Sequence, residues 1–426
     1  MKQRIAFHTL GCKLNFAETS TLARQLKDEG YQLVDFREVA DVYVINTCYV
    51  TGTAEKKCRL AIHQAHRRNP AARIAVLGCF AALDPAGIAN MDGVDMVLGS
   101  NDKFRLPQRL KEGESPDSAG ERTDEEGAFI PAWSSHGRTR AFIKIQDGCD
   151  YSCSYCSIPL ARGRSRSATI AEVKDTVQQA VAAGVKEVIL TGVNIGDFGR
   201  RRGESFRQLL KELEAIPELP RLRLSSVEPD LLHDDIIALV AGSEKLMPHF
   251  HIPLQSGSDR ILKLMKRRYG TGLFRDLVLK IHEKLPFAFI AADVIAGFPG
   301  ETDAEFGEGL ELLRNLPLSY IHAFPYSPRP GTASLRLPDH IPGNMIKERN
   351  RELNLLSAQK KESFYRLNAG RTDQVLFESA RKGEKMQGFT QNYLVVRTAF
   401  REDFVNRIIP VELKHLGSKP MAFHIL

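Results

Sequence analysis

The sequence predicts an α/β protein made of a doubly wound α/β domain, a partial (β/α)6 barrel and a small all-β barrel. Three patterns support this fold class. Short apolar runs first alternate with amphipathic helical stretches, six strand-like runs separated by helical patterns follow, and short alternating strands punctuated by glycine end the chain. The chain of 426 residues is long enough for about three domains.

The first pattern predicts an N-terminal doubly wound domain over residues 1–110. Its strands are predicted at 5–10, 31–36, 42–45, 74–77 and 96–98. Residues 111–138 are rich in Glu, Asp, Ser, Gly and Pro and show little periodicity, which predicts a linker.

The second pattern predicts a parallel barrel with a trailing helix over residues 139–368. The strand-like runs are 141–146, 186–192, 221–226, 249–254, 289–297 and 319–324. A complete eightfold barrel takes ~250 residues, so six units in an open barrel fit this length better. A charged helix is predicted at 344–368, with Leu353, Leu356 and Phe364 as its apolar stripe and Gly370 at its end.

The last segment, residues 369–426, predicts a small β barrel with a basic surface. A basic barrel at the end of an enzyme is typical of a nucleic-acid grip, and an oligomerisation module is the alternative. The whole chain carries a formal charge of +7, which favours RNA among acidic partners. No apolar run approaches the ~20 residues of a membrane span, and the N-terminus does not resemble a secretory signal, so we expect a cytoplasmic protein without a membrane partner.

Three cysteines follow the first barrel strand in a C-x3-C-x2-C run: Cys149, Cys153 and Cys156. Active sites of barrels lie at this end of the strands. Three thiolates at this spacing can ligate three irons of a cubane cluster and leave the fourth iron open to a small molecule. A structural zinc site is the alternative, but such a site normally needs four ligands, and no further His or Cys follows at finger-like spacing.

Three more cysteines, Cys12, Cys48 and Cys79, each stand just past an apolar strand of the first domain. Ligands of doubly wound sheets bind at the carboxyl ends of the strands, so these thiols are expected to meet there and hold a second cluster. The alternative is that all three are small buried hydrophobic residues. Cys58 lies in the middle of a predicted helix and is interpreted as structural.

The 149–156 run resembles the radical S-adenosylmethionine (SAM) superfamily, and the whole chain resembles its methylthiotransferase family. The resemblance implies that Cys149, Cys153 and Cys156 ligate the [4Fe–4S] cluster that cleaves SAM to a 5′-deoxyadenosyl radical, with Tyr155 near the adenine. It also implies that Cys12, Cys48 and Cys79 ligate an auxiliary [4Fe–4S] cluster, and that the C-terminal barrel is a TRAM domain that binds RNA.

Family members differ in substrate, and local sequence favours one branch. The stretches LTGVNIGDFG at 190–199 and SSVEP at 225–229 are similar to the branch that acts on N6-threonylcarbamoyladenosine at position 37 of tRNA. The implied reaction replaces the hydrogen on C2 of this base with a methylthio group, using one SAM for the methyl group and another for the radical. Isopentenyladenosine-37 and an aspartate of a ribosomal protein are the alternative substrates.

The resemblance and the positions at strand ends together imply further site residues. Cofactor contacts are expected from Gly192, Asn194, Ser226, Gln255 and Asp293, each of which also fits a turn, a cap or a buried hydrogen bond. The residues expected to contact RNA are basic or aromatic, namely Arg162, Arg164, Arg166, Arg371, Phe389, Tyr393 and Arg397. The expected partners are the tRNA anticodon stem-loop, a sulfur donor and an electron donor such as flavodoxin or ferredoxin.

Two other functions fit part of the sequence. The auxiliary cluster could serve electron transfer alone, in which case no sulfur enters the product. A zinc-stabilised RNA-binding protein without catalysis would explain the basic barrel, but it would leave Cys12, Cys48 and Cys79 without a role.

Overall fold

The computed structural model describes residues 2–112, 128–134, 139–379, 383–414 and 422–425. The chain forms two compact units. The first contains Met1–His136, Phe142–Ala168 and Ser327–Leu335, and the second contains Gly137–Ala141, Thr169–Tyr326 and Arg336–Leu426. Most of the predicted 111–138 linker lies outside the described residues. The domain boundaries after residues 110, 138 and 368 stay predictions.

A five-stranded parallel sheet forms the centre of the first unit. Its strands are β1 (Arg4–Thr9), β2 (Gln32–Val34), β3 (Val42–Thr47), β4 (Arg73–Gly78) and β5 (Val94–Leu98), in the order β2-β1-β3-β4-β5. All neighbouring pairs are parallel. This is the doubly wound arrangement that the sequence predicts, with its topological switch point between β1 and β3.

Helices cover both faces of this sheet. They are α1 (Lys13–Asp28), α2 (Gly52–Arg68), α3 (Cys79–Leu83), α4 (Pro85–Ala89) and α5 (Leu106–Glu112). Leu22 and Leu26 of α1 pack with Leu106 of α5 on one face, while Ile62 of α2 and Phe80 of α3 pack on the other. The first unit also contains β6 (Ala132–Trp133), β8 (Gln146–Asp147), α6 (Ile158–Arg162) and β9 (Arg166–Ser167), and β7 (Arg140–Lys144) spans the boundary between the units.

The remaining barrel strands belong to the second unit: β10 (Glu187–Thr191), β11 (Arg221–Leu224), β12 (His249–Gln255), β13 (Phe289–Ala296) and β14 (Tyr320–Pro325). The pairs β10–β11, β12–β13 and β13–β14 are parallel, and single parallel bridges join the β11 and β12 segments. Together with β7, these strands stand at the six predicted positions. The predicted (β/α)6 pattern is therefore confirmed.

The helices that alternate with these strands are α7 (Ile170–Ala182), α8 (Phe206–Glu214), α9 (Asp234–Gly242), α10 (Asp259–Leu264), α11 (Thr271–Lys284), α12 (Asp303–Asn315) and α13 (Gly343–Leu367). Thr169, Ser205 and Thr302 begin α7, α8 and α12 with reciprocal capping boxes. In α13 the predicted residues Leu353, Leu356 and Phe364 are buried. The local sequence thus determines where these helices start and which face they bury. No helix of the described ranges is long and apolar enough to cross a membrane.

The chain ends in an antiparallel sheet of order β17-β16-β15-β18-β19. Its strands are β15 (Thr372–Phe377), β16 (Lys385–Phe389), β17 (Val395–Ala399), β18 (Ile408–Lys414) and β19 (Ala422–Ile425). The end strands β17 and β19 also contact each other. The sheet curls around a core that contains Phe377, Leu394 and Phe404, which agrees with the predicted small β barrel.

Buried charges join the C-terminal sheet to the barrel strands within the second unit. The fully buried carboxylate of Glu187 accepts two hydrogen bonds from Arg223, at 2.9 and 3.0 Å. Arg223 and Arg221 also donate to backbone carbonyls of the C-terminal sheet, at Gln391 and Gln374. Burial alone would raise the pKa of Glu187, but Arg223, Arg140 and Arg221 lower it. The Glu187 carboxylate is therefore charged, and it is the buried anion that these three arginines share.

We expect Glu187→Gln to lower the free energy of unfolding by about 3–5 kcal/mol, because it leaves the three surrounding arginines without their buried anion. Urea unfolding followed by circular dichroism measures this change. The matched control is Glu212→Gln, which removes an exposed carboxylate paired with Lys174 at 3.0 Å and is expected to cost less than about 1 kcal/mol. Equal effects of the two substitutions would contradict the expectation.

Candidate active site

Three thiols meet at the C-terminal edge of the first unit's parallel sheet. Cys12 is the N-cap residue of α1, Cys48 directly follows β3, and Cys79 is the first residue of α3 after β4. The strands β1, β3 and β4 are neighbours in the sheet. Burial first, and then the neighbouring thiols of Cys79 and Cys12, raise the pKa of Cys48 to about 12. The predicted convergence of the three thiols is therefore present.

Close backbone packing brings these thiols together. Gly11 has a φ of +101°, and a Cβ atom there would lie 2.7 Å from Cβ and 3.0 Å from Sγ of Cys48. Asn15, one turn into α1, donates hydrogen bonds to the carbonyls of Leu10 and Thr47 at 2.8 and 3.0 Å. Glycine is thus required at position 11, and Asn15 fixes the two loops that carry Cys12 and Cys48.

Cys58 is separate from this group. It lies inside α2, is fully buried among apolar side chains, and its thiol donates to the Cys48 carbonyl at 3.5 Å. Burial raises its pKa to about 11. This environment fits the structural interpretation made from the sequence.

The second cysteine group lies on the loop between β8 and α6, also in the first unit. Cys149, Cys153 and Cys156 are all partly exposed. The amide of Cys149 donates to the Gly163 carbonyl at 3.1 Å, and the amide of Cys156 donates to the Cys153 carbonyl at 3.1 Å. Gly148 has a φ of +68°, and a Cβ atom there would lie 2.0 Å from the carbonyl oxygen of Arg164. The loop is therefore held on the 163–164 backbone with its thiols accessible.

A buried ion network connects the two cysteine groups. Arg162 is only 1% exposed and donates to Asn15 Oδ1 at 2.6 Å, to Asp147 Oδ1 at 2.9 Å and to Glu18 Oε1 at 3.3 Å. Asn15 and Glu18 lie on the helix that follows Cys12, and Asp147 stands two residues before Cys149. One guanidinium group thus bridges the supports of both cysteine groups.

Two lysines complete this network. Lys103 and Lys144 both form buried ion pairs with Glu18, and Lys144 also pairs with Asp147 at 3.3 Å. Burial would raise the pKa of Glu18, but Lys103, Arg162 and Lys144 lower it to about 2. Burial lowers the pKa of Lys103 to about 8. Sequence reasoning missed this network, although Lys144 between Ile143 and Ile145 breaks the apolar pattern of its strand.

The segment Ser327–Leu335 contacts both cysteine loops within the first unit. Arg329 pairs with Glu55 at 3.2 Å, donates to the Tyr49 carbonyl at 3.2 Å, and lies 4.4 Å from the centroid of the Tyr49 ring. The amide of Ser334 donates to the carbonyl of Ser154 at 2.7 Å. No local sequence signal indicated this role, since the segment is nearly 280 residues away from Tyr49 along the chain.

The other residues predicted to bind the cofactor lie at or just beyond strand ends, except Tyr155, which is on the 149–156 loop, and Asp293, which lies in the middle of β13. In the second unit, Gly192 follows β10, and Asn194 precedes a short 3-10 helix. Ser226 follows β11 and bridges to His251 of β12. Gln255 ends β12 with a φ of +70°, and Asp293 of β13 hydrogen bonds to His251 at 2.7 Å. The parallel strands bring their carboxyl ends to one edge, as a barrel site requires.

Two predicted RNA contacts are contradicted by burial. Arg162 is enclosed by the ion network, so its guanidinium group cannot clamp a phosphate from solvent. Phe389 is 6% exposed, and the Arg140 guanidinium lies 3.8 Å from its ring centroid, so no ring face is open to a base. Both residues stabilise the protein interior instead.

The other predicted RNA contacts differ in accessibility. Arg166 is mostly covered and bonds to Asp147 at 3.1 Å, and Tyr393 packs against His249 with ring centroids 4.8 Å apart. Arg371 stacks on Phe287, at 3.5 Å from the ring centroid. The exposed residues of the set are Arg164, whose side chain is 71% exposed, and Arg397.

Comparison with known proteins identifies the family of this site. The model of Uncharacterized protein family UPF0004 matches residues 4–99, and that of the Radical SAM superfamily matches residues 143–313. The threonylcarbamoyladenosine tRNA methylthiotransferase MtaB of Bacillus subtilis is 38% identical over 97% of this chain and 94% of its own length. The chain belongs to the radical SAM methylthiotransferase family. Enzymes of the radical SAM superfamily use a [4Fe–4S] cluster together with SAM.

Other relatives show the range of this methylthiotransferase family. MtaB of Thermotoga maritima is 36% identical over 97% of this chain and 95% of its own length. The tRNA-2-methylthio-N(6)-dimethylallyladenosine synthase of Clostridium tetani is 31% identical over 98% of the chain and 94% of its own length. Among solved structures, the radical SAM methyltransferase TsrM of Kitasatospora setae has a TM-score of 0.56 at 16% identity, covering 76% of this chain and 73% of its own. That likeness concerns the fold alone.

The buried network predicts a specific pH dependence of stability. Because the pKa of Glu18 is lowered from 4.5 to about 2, its stabilising effect is complete above pH 4.5 and is lost as the pH falls towards 2. We expect Glu18→Gln to cost about 3–5 kcal/mol between pH 5 and 7, where Lys103 stays charged. This difference should shrink below pH 4. Denaturant unfolding of iron-free protein at several pH values measures it, and a difference as large at pH 3 as at pH 6 would contradict the network.

Proposed function

We propose that this methylthiotransferase replaces the C2 hydrogen of N6-threonylcarbamoyladenosine-37 in tRNA with a methylthio group. The observation that supports the proposal most is the presence of two separate groups of three cysteines, one at a sheet edge and one on a barrel loop. The relatives with 36–38% identity carry the name of this tRNA activity.

Each group of three cysteines fits one [4Fe–4S] cluster with an open iron. Cys149, Cys153 and Cys156 are accessible, as a cluster that binds SAM requires. Cys12, Cys48 and Cys79 are mutually close, and the guanidinium of Arg162 lies near Cys12 and Cys79, where it offsets the charge of thiolate ligands. The donor set therefore suits two clusters better than a tetrahedral zinc site, which normally has four ligands.

The reaction needs radical chemistry because the C2 hydrogen of adenine is not acidic enough for a side-chain base. The cluster and SAM, when bound, supply a carbon radical. The protein itself has to hold the cofactor and the adenine of the target nucleotide. Tyr155, Gly192, Asn194, Ser226, Gln255 and Asp293 are proposed for the cofactor, and their backbone carbonyls and side chains can orient it. A sulfur donor and a reductant such as flavodoxin or ferredoxin are proposed partners, and the cytoplasm is the proposed compartment.

The metal content tests the two-cluster proposal. Anaerobically prepared protein is expected to contain about eight irons, falling to about four in a Cys149, Cys153 and Cys156 to Ala variant and in a Cys12, Cys48 and Cys79 to Ala variant. Cys58→Ala is the control and should keep about eight irons, because its thiol lies inside the α2 core. Stoichiometric zinc, or loss of all iron in either triple variant, would contradict two separately ligated clusters.

The substrate is tested with anticodon stem-loops that carry N6-threonylcarbamoyladenosine at position 37. Incubation with SAM and a reductant should yield a product in which one methylthio group has replaced one hydrogen, detected by mass spectrometry of nucleosides. Stem-loops with unmodified adenosine-37 are the control. A product without added sulfur would favour electron transfer as the role of the second cluster and would contradict the proposal.

RNA binding is proposed to involve Arg164, beside the 149–156 loop, and Arg397 on the C-terminal sheet, with Arg371 as a further candidate. Arg164→Ala should weaken stem-loop binding and reduce the slope of log Kd against log salt by about 1, because one phosphate contact is lost. Fluorescence anisotropy at several salt concentrations measures this. Arg275→Ala on α11, whose side chain is 55% exposed, is the control, and an equal effect there would show that only net charge matters.

A further inference from the structure

Three polar side chains meet on neighbouring strands of the second unit. Asp293 of β13 pairs with Pro253 of β12 and with His322 of β14, and His251 is two residues before Pro253 on the same face. Nε2 of His251 lies 2.7 Å from Oδ1 of Asp293. The potential ligand atoms of the three residues all lie within 4.8 Å of one another. We name this group the His-Asp-His cluster.

The cluster faces the barrel interior and stays partly accessible. On β14, Ile321 is buried, and its amide and carbonyl bond to Ser357 of α13, which packs against that strand. His322 therefore projects to the opposite face, away from the covering helix. The three residues of the cluster are each half-buried. A polar group on a bound molecule can therefore reach them without unfolding of the barrel.

Aromatic rings continue the same face of β14. Tyr320 lies edge-on to His322 with centroids 4.6 Å apart, and the ring of Phe324 is parallel to His322 at 6.5 Å. Phe324 is 44% exposed. An accessible row of rings beside imidazoles and a carboxylate suits a planar base that carries a polar substituent.

The N6 substituent is the part of the substrate that distinguishes the relatives. A dimethylallyl group, in the name of the Clostridium tetani enzyme, has no polar atom. A threonylcarbamoyl group has a ureido linkage, a hydroxyl group and a carboxylate. A dimethylallyl group bound over the His-Asp-His cluster would displace water and leave the hydrogen bonds of that water unreplaced. A threonylcarbamoyl group can replace them with its own hydrogen bonds to the cluster.

Hydrogen bonding within the cluster also suits this substituent. Nε2 of His251 lies 2.7 Å from Oδ1 of Asp293, and this hydrogen bond orients the His251 ring. The His322 ring lies 4.9 Å from that of His251. Imidazole N–H groups of His251 and His322 can donate to the substrate carboxylate or hydroxyl.

We propose that His251 and His322 recognise the threonylcarbamoyl group on N6 of the target adenosine, with Asp293 orienting the ring of His251, and that His322 determines the choice between this group and an apolar one. This inference rests on the proposed function and deepens it. Recognition by hydrogen bonding rejects an analogue that lacks the polar groups more strongly than an apolar pocket rejects a polar analogue.

The test uses His322→Phe, which keeps an aromatic ring and removes both nitrogen atoms. Methylthiolation and equilibrium binding are measured with stem-loops that carry threonylcarbamoyladenosine or dimethylallyladenosine at position 37. We expect kcat/KM for the threonylcarbamoyl substrate to fall about 10- to 100-fold relative to the dimethylallyl substrate, mainly through KM, with a parallel rise in Kd. His282→Phe, a half-buried histidine of α11 outside the cluster, should leave this ratio unchanged.

Three outcomes would overturn the inference. The first is an unchanged ratio of kcat/KM between the two substrates in His322→Phe. The second is loss of RNA-independent formation of 5′-deoxyadenosine in this variant, which would indicate a role towards SAM. The third is a stoichiometric extra metal ion that the wild type retains and the variant lacks. Failure of the proposed function is a different result. In that case the wild type itself would modify the dimethylallyl stem-loop and not the threonylcarbamoyl one.

Discussion

The buried guanidinium of Arg162 is the interaction on which the site in the first unit depends. It is held by Asn15 and Glu18 on the helix after Cys12, and by Asp147 immediately before the 149–156 loop. A charge so deep in the protein is stable only when all its partners are in place. The same bonds that neutralise it therefore also fix the two cysteine groups relative to each other.

The second unit uses the same principle to attach its C-terminal sheet. Glu187, Arg221 and Arg223 lie on β10 and β11, and the two arginines bond to backbone carbonyls of the terminal sheet. Backbone carbonyls accept hydrogen bonds whatever the side chain is, so the joint depends on the fold of the sheet more than on its sequence. A small barrel attached in this way presents its outer strands in a fixed orientation to the rest of its unit.

The sequence predicted those features that follow from local periodicity and from general rules of topology. The strands of both units stand at the predicted positions, and Cys12, Cys48 and Cys79 converge because parallel strands end at one edge. Arg162 was misinterpreted because its neighbours Arg164 and Arg166 make the local stretch look like an exposed basic loop. Its true partner Glu18 is 144 residues away. Phe389 was ambiguous for a different reason, since a β barrel uses aromatic residues both in its core and on its surface.

The composition of the buried network explains why charges are placed in this interior at all. Lys103, Lys144, Arg162 and Arg166 are cations, and Glu18 and Asp147 are the two carboxylates among them. This excess of positive charge would be unfavourable in an ordinary core. Burial lowers the pKa of Arg162, and the nearby thiols of Cys79 and Cys12 are among the groups that raise it. If these thiolates ligate iron as proposed, they would supply the missing negative charge, and binding of the proposed auxiliary cluster would be linked to stability of the network.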